Sequence, residues 1–254
     1  MNNESINNQN PYAKKSYAWY MVLLMTMAYM FSFIDRYILG LLIDPIKADL
    51  GLSDTQMGLL LGPAFAIFYA TMGLPLGYLA DRVKRVSIVS IGIFIWSLAT
   101  VASGFAQKFS HLFLARMTVG IGEATLSPCA LSMITDSFPE KNRGKPIGFY
   151  TMGMSFGPAI AYLSGAAVLF WSQSIDSIQI PLIGDIAPWQ LAFIVVGFPG
   201  MLLAIFVYFL KEPPRKEDPN LENKEKPTIV EALKYFYSKA GAMCSFILPA
   251  CVMT

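Results

Sequence analysis

The sequence predicts an all-α integral membrane protein, a bundle of six membrane-spanning helices followed by the start of a seventh. Three observations support this fold class. Of its 254 residues, 55% are apolar and only 14% are charged, whereas soluble domains carry about 25% charged residues. The apolar residues form runs of about 20 or more, the length that a helix needs to cross a bilayer core. Lysines and arginines concentrate in alternate loops, as in multi-pass membrane proteins.

Six apolar runs define the predicted spans, which are numbered one to six in chain order. Their approximate limits are 17–43, 54–80, 87–105, 111–138, 146–171 and 188–210. The second run begins with Ser53-Asp-Thr-Gln56, a pattern typical of a capping box at a helix start. Pro146 and Pro188 open the fifth and sixth runs. Proline is favoured in the first turn of a helix because its missing N–H needs no partner there.

The segments outside the spans complete the predicted organisation. We expect an inside N-terminal tail at 1–16, the six-span bundle at 17–210, an inside linker at 211–239 and an incomplete seventh span at 240–254. The linker is rich in charge and proline, and its last turns fit a short amphipathic helix in the inner interface. The final 15 residues reach about 22 Å as a helix, so we expect a span that begins there without finishing.

Positive charges predict the orientation of the bundle. Fifteen of the 19 lysines and arginines fall in the tail, the linker and the two loops on the same side. Only Lys47 and Lys108 fall in the loops on the other side. Loops rich in lysine and arginine stay in the cytoplasm. The pattern therefore predicts a multi-pass protein of the cell (inner) membrane with a cytoplasmic N-terminus.

Composition and motifs argue against several other classes. The net charge of +2 is too small for a surface that binds nucleic acid, and the three cysteines form no C-x-x-C pair. We expect no metal site and no cofactor. Gly153-Met-Ser155-Phe-Gly157 matches the nucleophile elbow of hydrolases, but that elbow needs a strand before its turn, and this segment lies within an apolar span. An intramembrane hydrolase is therefore the weaker alternative, and we expect the protein not to be an enzyme.

Four ionisable residues lie well inside the predicted spans. They are Asp35 and Arg36 in span one, and Arg116 and Glu123 in span four. Each costs about 2.5–3.5 kcal/mol or more to place in lipid, so such residues nearly always face a cavity or one another. Arg116 and Glu123 are seven residues apart and share one helix face, whereas Asp35 and Arg36 point about 100° apart. We therefore expect partners across the two helices, such as Asp35 with Arg116.

Two interpretations of these charges are open. The four residues form an ion-pair network that only holds spans one and four together, or they form a proton relay or an anion site. A carboxyl close to a cation can gain and lose a proton as a substrate arrives and leaves. Two arginines can hold a carboxylate or a phosphate through paired hydrogen bonds.

The short turn between spans two and three carries a second group of candidate residues. Gly77, Asp81, Arg82 and Arg85 lie within nine residues of one another. Asp81 can sit at the N-terminus of a neighbouring helix, where the helix dipole favours an anion. Arg82 and Arg85 can pair with carboxylates or terminal carbonyls on the inner face. Such contacts would latch one conformation, so we assign this turn a gating role.

Glycines on helix faces predict close contacts between spans. Gly153 and Gly157, followed by Pro158, permit close packing and a kink in span five. We therefore interpret these three residues as a hinge. Span two has the same spacing in two pairs, Gly58/Gly62 and Gly73/Gly77.

In their order and positions, these motifs resemble the major facilitator superfamily. The similarity covers 17–210 and rests on four segments: 77–85 in the inner loop, 116–123 in span four, 139–148 in the next inner loop and 153–165 in span five. Lys84 and Val86 depart from the usual inner-loop pattern, in which glycine and a basic residue are common. The resemblance implies half of a twelve-helix transporter, built of two inverted three-helix repeats, that works by alternating access.

Two segments narrow the resemblance within the superfamily: Asp35-Arg36 in span one and Gly120-Ile-Gly-Glu123-Ala in span four. They are most similar to spinster-like lipid transporters and next most similar to the anion:cation symporters for sugar acids. In both groups the matching residues are associated with proton coupling and substrate binding. The resemblance implies those roles for Asp35, Arg36 and Glu123, and we place Arg116 in the same site. It thus implies a proton-coupled secondary transporter for an organic anion or an amphipathic, lipid-like substrate, with protons and the bilayer as its other partners.

One further alternative is a half that no longer transports and acts as a membrane assembly or regulatory protein. We also expect residues 1–254 alone to insert without catalysing net uptake, because six helices supply one wall of a site that lies between two halves. A second half, or a second copy in a homodimer, would complete that site.

Overall fold

The computed structural model describes residues 14–172, 178–180 and 184–215, which form a bundle of long helices. Span one is the helix Lys15–Leu41. Spans two to six are, in order, Asp54–Leu61 with Pro63–Ala80, Arg85–Ser103, Phe109–Glu123 with Leu126–Ser137, Gly144–Thr151 with Gly153–Ser172, and Pro188–Tyr208. Each limit lies within two residues of the predicted one. In the described part, spans one, two, three, four and six are long and apolar enough to cross a membrane.

Shorter elements connect the spans. A helix at Ile43–Leu50 follows span one, and a 3₁₀ turn at Glu140–Asn142 precedes span five. Between spans five and six, strands Ile178–Ile180 and Gly184–Ile186 form an antiparallel hairpin in which Ile178 faces Ile186. This hairpin is an addition to the predicted all-α bundle. Residues 1–13, the predicted interfacial helix of the linker and the start of the seventh span lie outside the described residues.

Span two shows how the local sequence determines a helix start and a helix break. Ser53 and Gln56 form the predicted capping box: the Ser53 N–H donates to Gln56 Oε1 over 2.9 Å, and the Gln56 N–H donates to Ser53 Oγ over 3.3 Å. The span is interrupted at Gly62, whose φ of −113° and ψ of −85° are not helical. Pro63 follows at once, and it has no N–H to continue the helical ladder.

The spans pack side by side around two apolar clusters. Span one contacts spans five and six, span six contacts span three, and span four lies against spans two and three. The larger cluster includes Met21, Trp96 and Met133, and the second includes Trp189 and Phe193 near the predicted outer end. Packing of apolar side chains thus holds the spans that carry buried charges in contact.

Span five approaches span one closely at its glycines, as the sequence predicts. A Cβ atom added at Gly153 would lie 3.0 Å from the Thr26 carbonyl oxygen. At Gly157 the added atom would lie 2.5 Å from Phe33 Cβ and 2.8 Å from the Met30 carbonyl oxygen. At Gly157 a side chain would force the two backbones apart, whereas at Gly153 the fit is only tight.

The glycines of span two do not make such contacts. In the longer helix of this span, only Ala64 and Ala80 are buried among the described residues. A Cβ atom added at Gly58, Gly73 or Gly77 would meet nothing within 4 Å. The close packing predicted for this span is therefore wrong within the described bundle, because the helix presents these glycines to its uncovered side.

Candidate functional site

The central feature of the bundle is an ion pair between spans one and four. Arg36 donates from Nη2 and from Nε to the same Glu123 oxygen, Oε2, over 2.6 and 2.8 Å. The Ser32 hydroxyl donates to that oxygen as well, over 2.7 Å. The Glu123 side chain is fully buried, whereas 25% of the Arg36 side chain stays exposed. The Glu123 carboxylate is thus shielded from solvent, whereas the Arg36 guanidinium is partly accessible.

Aromatic rings surround the partly exposed Arg36 guanidinium. The Arg36 guanidinium carbon lies 5.0 Å from the ring centre of Phe33, 4.6 Å from that of Phe65 and 5.0 Å from that of Tyr69. A cation over the face of an aromatic ring is attracted by the ring quadrupole. We call these three rings the aromatic pocket. Sequence reasoning missed the pocket, although the spacing of Phe65 and Tyr69 by four residues puts both rings on one face of span two.

Two glycines of span four bring the neighbouring spans close to Glu123. A Cβ atom added at Gly120 would lie 2.7 Å from the Phe65 carbonyl oxygen, so glycine here lets span two place its rings near Arg36. A Cβ atom added at Gly122 would lie 2.9 Å from the Gly92 carbonyl oxygen and 2.9 Å from Trp96 Cβ. Span three therefore lies directly against the opposite side of the same turn.

Asp35 and Arg116 form a second buried contact, but not the one predicted. Arg116 Nη1 donates to the Asp35 backbone carbonyl oxygen over 3.0 Å, and both side chains are buried. The expected bond between Arg116 and the Asp35 carboxylate is absent from the described contacts. Arg116 meets span one at its backbone instead, and Asp35 Oδ1 is buried without a partner among the described residues.

Several polar atoms of this site are buried without a partner. Within the described part of the chain they are Asp35 Oδ1, Arg116 Nε, Glu123 Oε1 and Trp96 Nε1. Two are donors and two are acceptors. Buried polar groups without a protein partner are rare, and each calls for an explanation. The site therefore holds unused hydrogen-bonding capacity on spans one, three and four.

A second charged cluster lies at the predicted inner end. Arg85 donates from Nη1 to Asp136 Oδ2 over 2.5 Å and to Ser132 Oγ over 2.7 Å, and from Nε to Glu212 Oε1 over 2.8 Å. Only 2% of the Arg85 side chain is exposed. Its Nη2 donates to the Pro213 carbonyl oxygen over 3.0 Å. We call these five residues the inner latch; Arg85 pairs with carboxylates there, as predicted, whereas the part played by Glu212 was missed.

The rest of the turn between spans two and three is held by Arg215. This side chain donates to the carbonyl oxygens of Ala80 and Val83, each over 2.7 Å, and also to that of Asp81. Asp81 therefore contributes its backbone at the C-terminal end of span two. Among the described residues its exposed side chain caps no neighbouring helix, so the predicted capping contact is not found there. The Arg82 guanidinium lies 3.9 Å from the centre of the Tyr78 ring.

The candidate hinge lies where span five is interrupted. The helix ending at Thr151 and the helix beginning at Gly153 meet at Met152. Pro158 lies inside the second helix, one residue after the close contact of Gly157 with span one. The described residues contain no group of His, Cys, Asp and Glu suited to a metal ion.

Comparisons with known proteins agree with this architecture. The sequence profile of the Major Facilitator Superfamily matches residues 25–254. A probable L-galactonate transporter of Escherichia coli is 33% identical over 74% of this chain and 38% of its own length. Protein spinster homolog 1 of Xenopus tropicalis is 32% identical over 84% of this chain and 39% of its own length.

The solved structures include a bacterial homologue of the human lysosomal transporter spinster in an inward-facing, unoccupied conformation. It shares 38% identity with this chain and superposes with a TM-score of 0.75, over 90% of this chain and 50% of that structure. The chain thus spans about half the length, or less, of the relatives it matches. The fold class predicted from the sequence is confirmed, and so is the family of transporters rather than enzymes. This chain belongs to the major facilitator superfamily and corresponds to its N-terminal half.

Proposed function

We propose that this chain forms one half of a secondary active transporter that couples protons to the movement of an organic anion by alternating access. The observation that carries the proposal is the Arg36–Glu123 pair, in which a buried carboxylate holds a partly exposed arginine. Such an arginine can exchange one anionic partner for another without leaving its aromatic pocket. We place the protein in the inner membrane with a cytoplasmic N-terminus, as the positive charges of its loops indicate.

Proton binding to Glu123 begins the proposed exchange. A neutral carboxyl no longer balances the charge of Arg36, so the guanidinium becomes free to bind the carboxylate or phosphate of a substrate through paired hydrogen bonds. When the substrate leaves, Glu123 loses its proton and pairs with Arg36 again, because an unpaired charge inside the membrane is costly. One proton then accompanies one singly charged anion.

Asp35 and Arg116 complete the proposed coupling site. Arg116 is buried and holds the backbone of span one at Asp35, one residue before Arg36. It therefore positions Arg36 and adds a second positive charge near the anion. Asp35 provides a second buried carboxyl that we assign to proton binding.

Two substrate classes share the required chemistry, a single anionic head. A sugar acid is the first candidate, because one relative is named as a probable L-galactonate transporter. A lipid-like amphiphile is the alternative, which the resemblance of the span-one and span-four motifs to spinster-like lipid transporters implies. The rings of the aromatic pocket suit either class, since they offer both apolar faces and, in Tyr69, a hydroxyl.

We further propose that the inner face opens and closes at the latch. Gly77, Asp81, Arg82 and Arg85 form the moving turn. Span five bends at the hinge defined by Gly153, Gly157 and Pro158. The latch joins the ends of spans three, four and six through Arg85, Asp136 and Glu212, so breaking it would loosen three spans together.

The test measures uptake into proteoliposomes by the transporter completed with a C-terminal half, under an inward proton gradient. The candidate substrates are radiolabelled galactonate and a fluorescent lysophospholipid. One of them should accumulate, and Arg36→Lys should lower its uptake about tenfold or more, because a lysine cannot form the paired, charge-assisted bonds. Lys108→Gln in the outer loop is the control and should keep wild-type uptake.

Two results would contradict the proposal. Wild-type uptake by Arg36→Lys would remove this residue from the substrate site. No uptake of either class by the completed transporter, with the latch and the ion pair intact, would favour the assembly or regulatory role instead.

A further inference from the structure

The inner ends of spans one and five each carry an exposed lysine. Lys15 is the first residue of the span-one helix, and Lys145 is the second residue of the helix that opens span five. In the described part of the chain, no salt bridge includes either side chain. Two positive charges therefore lie at this end of the bundle without a carboxylate partner among the described residues.

A ring contact between the two spans brings these lysines to the same part of the surface. Trp19 of span one lies edge-on to Phe149 of span five, with ring centres 5.8 Å apart and ring planes at 83°. Trp19 follows Lys15 by four residues, and Phe149 follows Lys145 by four residues. Because residues four apart share a helix face, each lysine lies one turn inward of its ring, on the face that makes the contact.

The lysines and the rings lie at different depths. Both helices begin at the predicted inner face, and helical side chains lean toward the N-terminus of their own helix. Lysines so placed extend their charged ends to the membrane surface, whereas tryptophan is typical of the headgroup level. The two rings are half-buried, so part of each faces outward. We call these four residues the lysine–aromatic surface: Lys15, Trp19, Lys145 and Phe149.

The acidic residues of the neighbouring loop are engaged elsewhere. Asp136 pairs with Arg85 in the inner latch. Glu140 lies 3.9 Å from Arg143, whose Nε donates to the Phe138 carbonyl oxygen over 3.3 Å. The described part of this loop thus supplies no carboxylate to the lysines, and the lysine–aromatic surface keeps a net positive charge.

We propose that the lysine–aromatic surface binds the headgroup of an anionic phospholipid of the inner leaflet. The phosphate lies between the two ammonium groups, and the first part of the acyl chains lies on the rings of Trp19 and Phe149. Basic residues on the cytoplasmic side of a membrane attract anionic lipids, and basic pockets between helices bind their headgroups. The site is separate from the Arg36–Glu123 pair and does not depend on transport.

Native mass spectrometry of the chain, released from detergent micelles, tests this inference by measuring retained lipid. The wild-type chain should retain phosphatidylglycerol but not phosphatidylcholine with the same acyl chains, because only the first has a net negative charge. The double variant Lys15→Gln/Lys145→Gln should lower the affinity for phosphatidylglycerol about tenfold or more, since two surface cations are lost. Lys15→Arg/Lys145→Arg keeps both charges and should keep the wild-type affinity.

Lys84→Gln is the matched control for the single variant Lys145→Gln. Lys84 is also exposed at the predicted inner side, but it lies in the turn between spans two and three. Its loss removes the same charge and should leave lipid retention unchanged. Glycerol phosphate separates a lipid from a soluble phosphate as the ligand. It should not displace the bound lipid, because it has no acyl chains to lie on the two rings.

Equal retention of phosphatidylglycerol by Lys145→Gln and Lys84→Gln would overturn the inference. Retention of phosphatidylcholine as strong as that of phosphatidylglycerol would also overturn it, because the lysines would then contribute nothing. Displacement by glycerol phosphate would replace the lipid by a soluble phosphate as the ligand. Since none of these measurements needs a substrate or a proton gradient, their outcomes are distinct from a failure of the proposed function.

Discussion

Replacing Gly157 by alanine tests the packing of span five on span one. The added Cβ atom would lie 2.5 Å from Phe33 Cβ and 2.8 Å from the Met30 carbonyl oxygen, whereas ordinary contacts begin at 3.4 Å. The Met30 oxygen belongs to backbone and cannot rotate away, so the two helices must separate. Overpacking of this kind costs about 1–3 kcal/mol. Alanine favours the helix by about 0.5–1 kcal/mol relative to glycine. We therefore expect Gly157→Ala to lower the unfolding free energy by about 1–2 kcal/mol.

The assay is equilibrium unfolding of the chain in mixed micelles, followed by tryptophan fluorescence. Gly148→Ala is the matched control, because Gly148 also lies inside a helix of span five and a Cβ atom there would meet nothing within 4 Å. This control should gain about 0.5–1 kcal/mol of unfolding free energy. Equal stabilisation by Gly157→Ala and Gly148→Ala would refute the close approach of spans one and five.

Two further predictions concern the orientation and the inner latch. Single cysteines introduced at Lys47 and Gln179 should react with a membrane-impermeant thiol reagent added outside, while one at Lys141 should not; the reverse labelling would overturn the orientation. Glu212→Gln should lower the unfolding free energy by about 1–2 kcal/mol, because Glu212 accepts from Arg85 Nε over 2.8 Å and from the Val86 N–H over 3.0 Å and an amide cannot replace both acceptors. Glu140→Gln is its control and should have almost no effect, since Glu140 is 85% exposed and 3.9 Å from Arg143; equal losses in the two variants would rule out a structural role for the latch.

The helices of this fold could be predicted because their causes are local. The features that set the helix limits each involve only neighbouring residues: the length of the apolar run, the capping box of Ser53 and Gln56, and the positions of prolines. The predicted limits of the spans therefore lie close to those of the structure. The need for charges in spans one and four to meet was also predictable, because an unpaired charge in lipid is costly. Gly153 and Gly157 carried a signal for close packing that the structure bears out.

The choice of partners could not be predicted from spacing. Whether Arg116 meets the Asp35 carboxyl or its backbone depends on the rotation of span one against span four, which a sequence of one helix does not reveal. Glu212 lies beyond span six, and its contact with Arg85 joins residues 127 positions apart. The glycines of span two have the same spacing as those of span five, but only packing decides which face is covered.

Proton coupling through Asp35 and Glu123 is the central claim, and a comparison of two transport modes tests it most directly. In the completed transporter, substrate accumulation driven by an imposed proton gradient is measured beside substrate counterflow, which needs no gradient. Asp35→Asn and Glu123→Gln should abolish or greatly reduce accumulation while keeping part of the counterflow, because each neutral side chain mimics the protonated acid. Accumulation with wild-type dependence on pH in both variants would contradict the account.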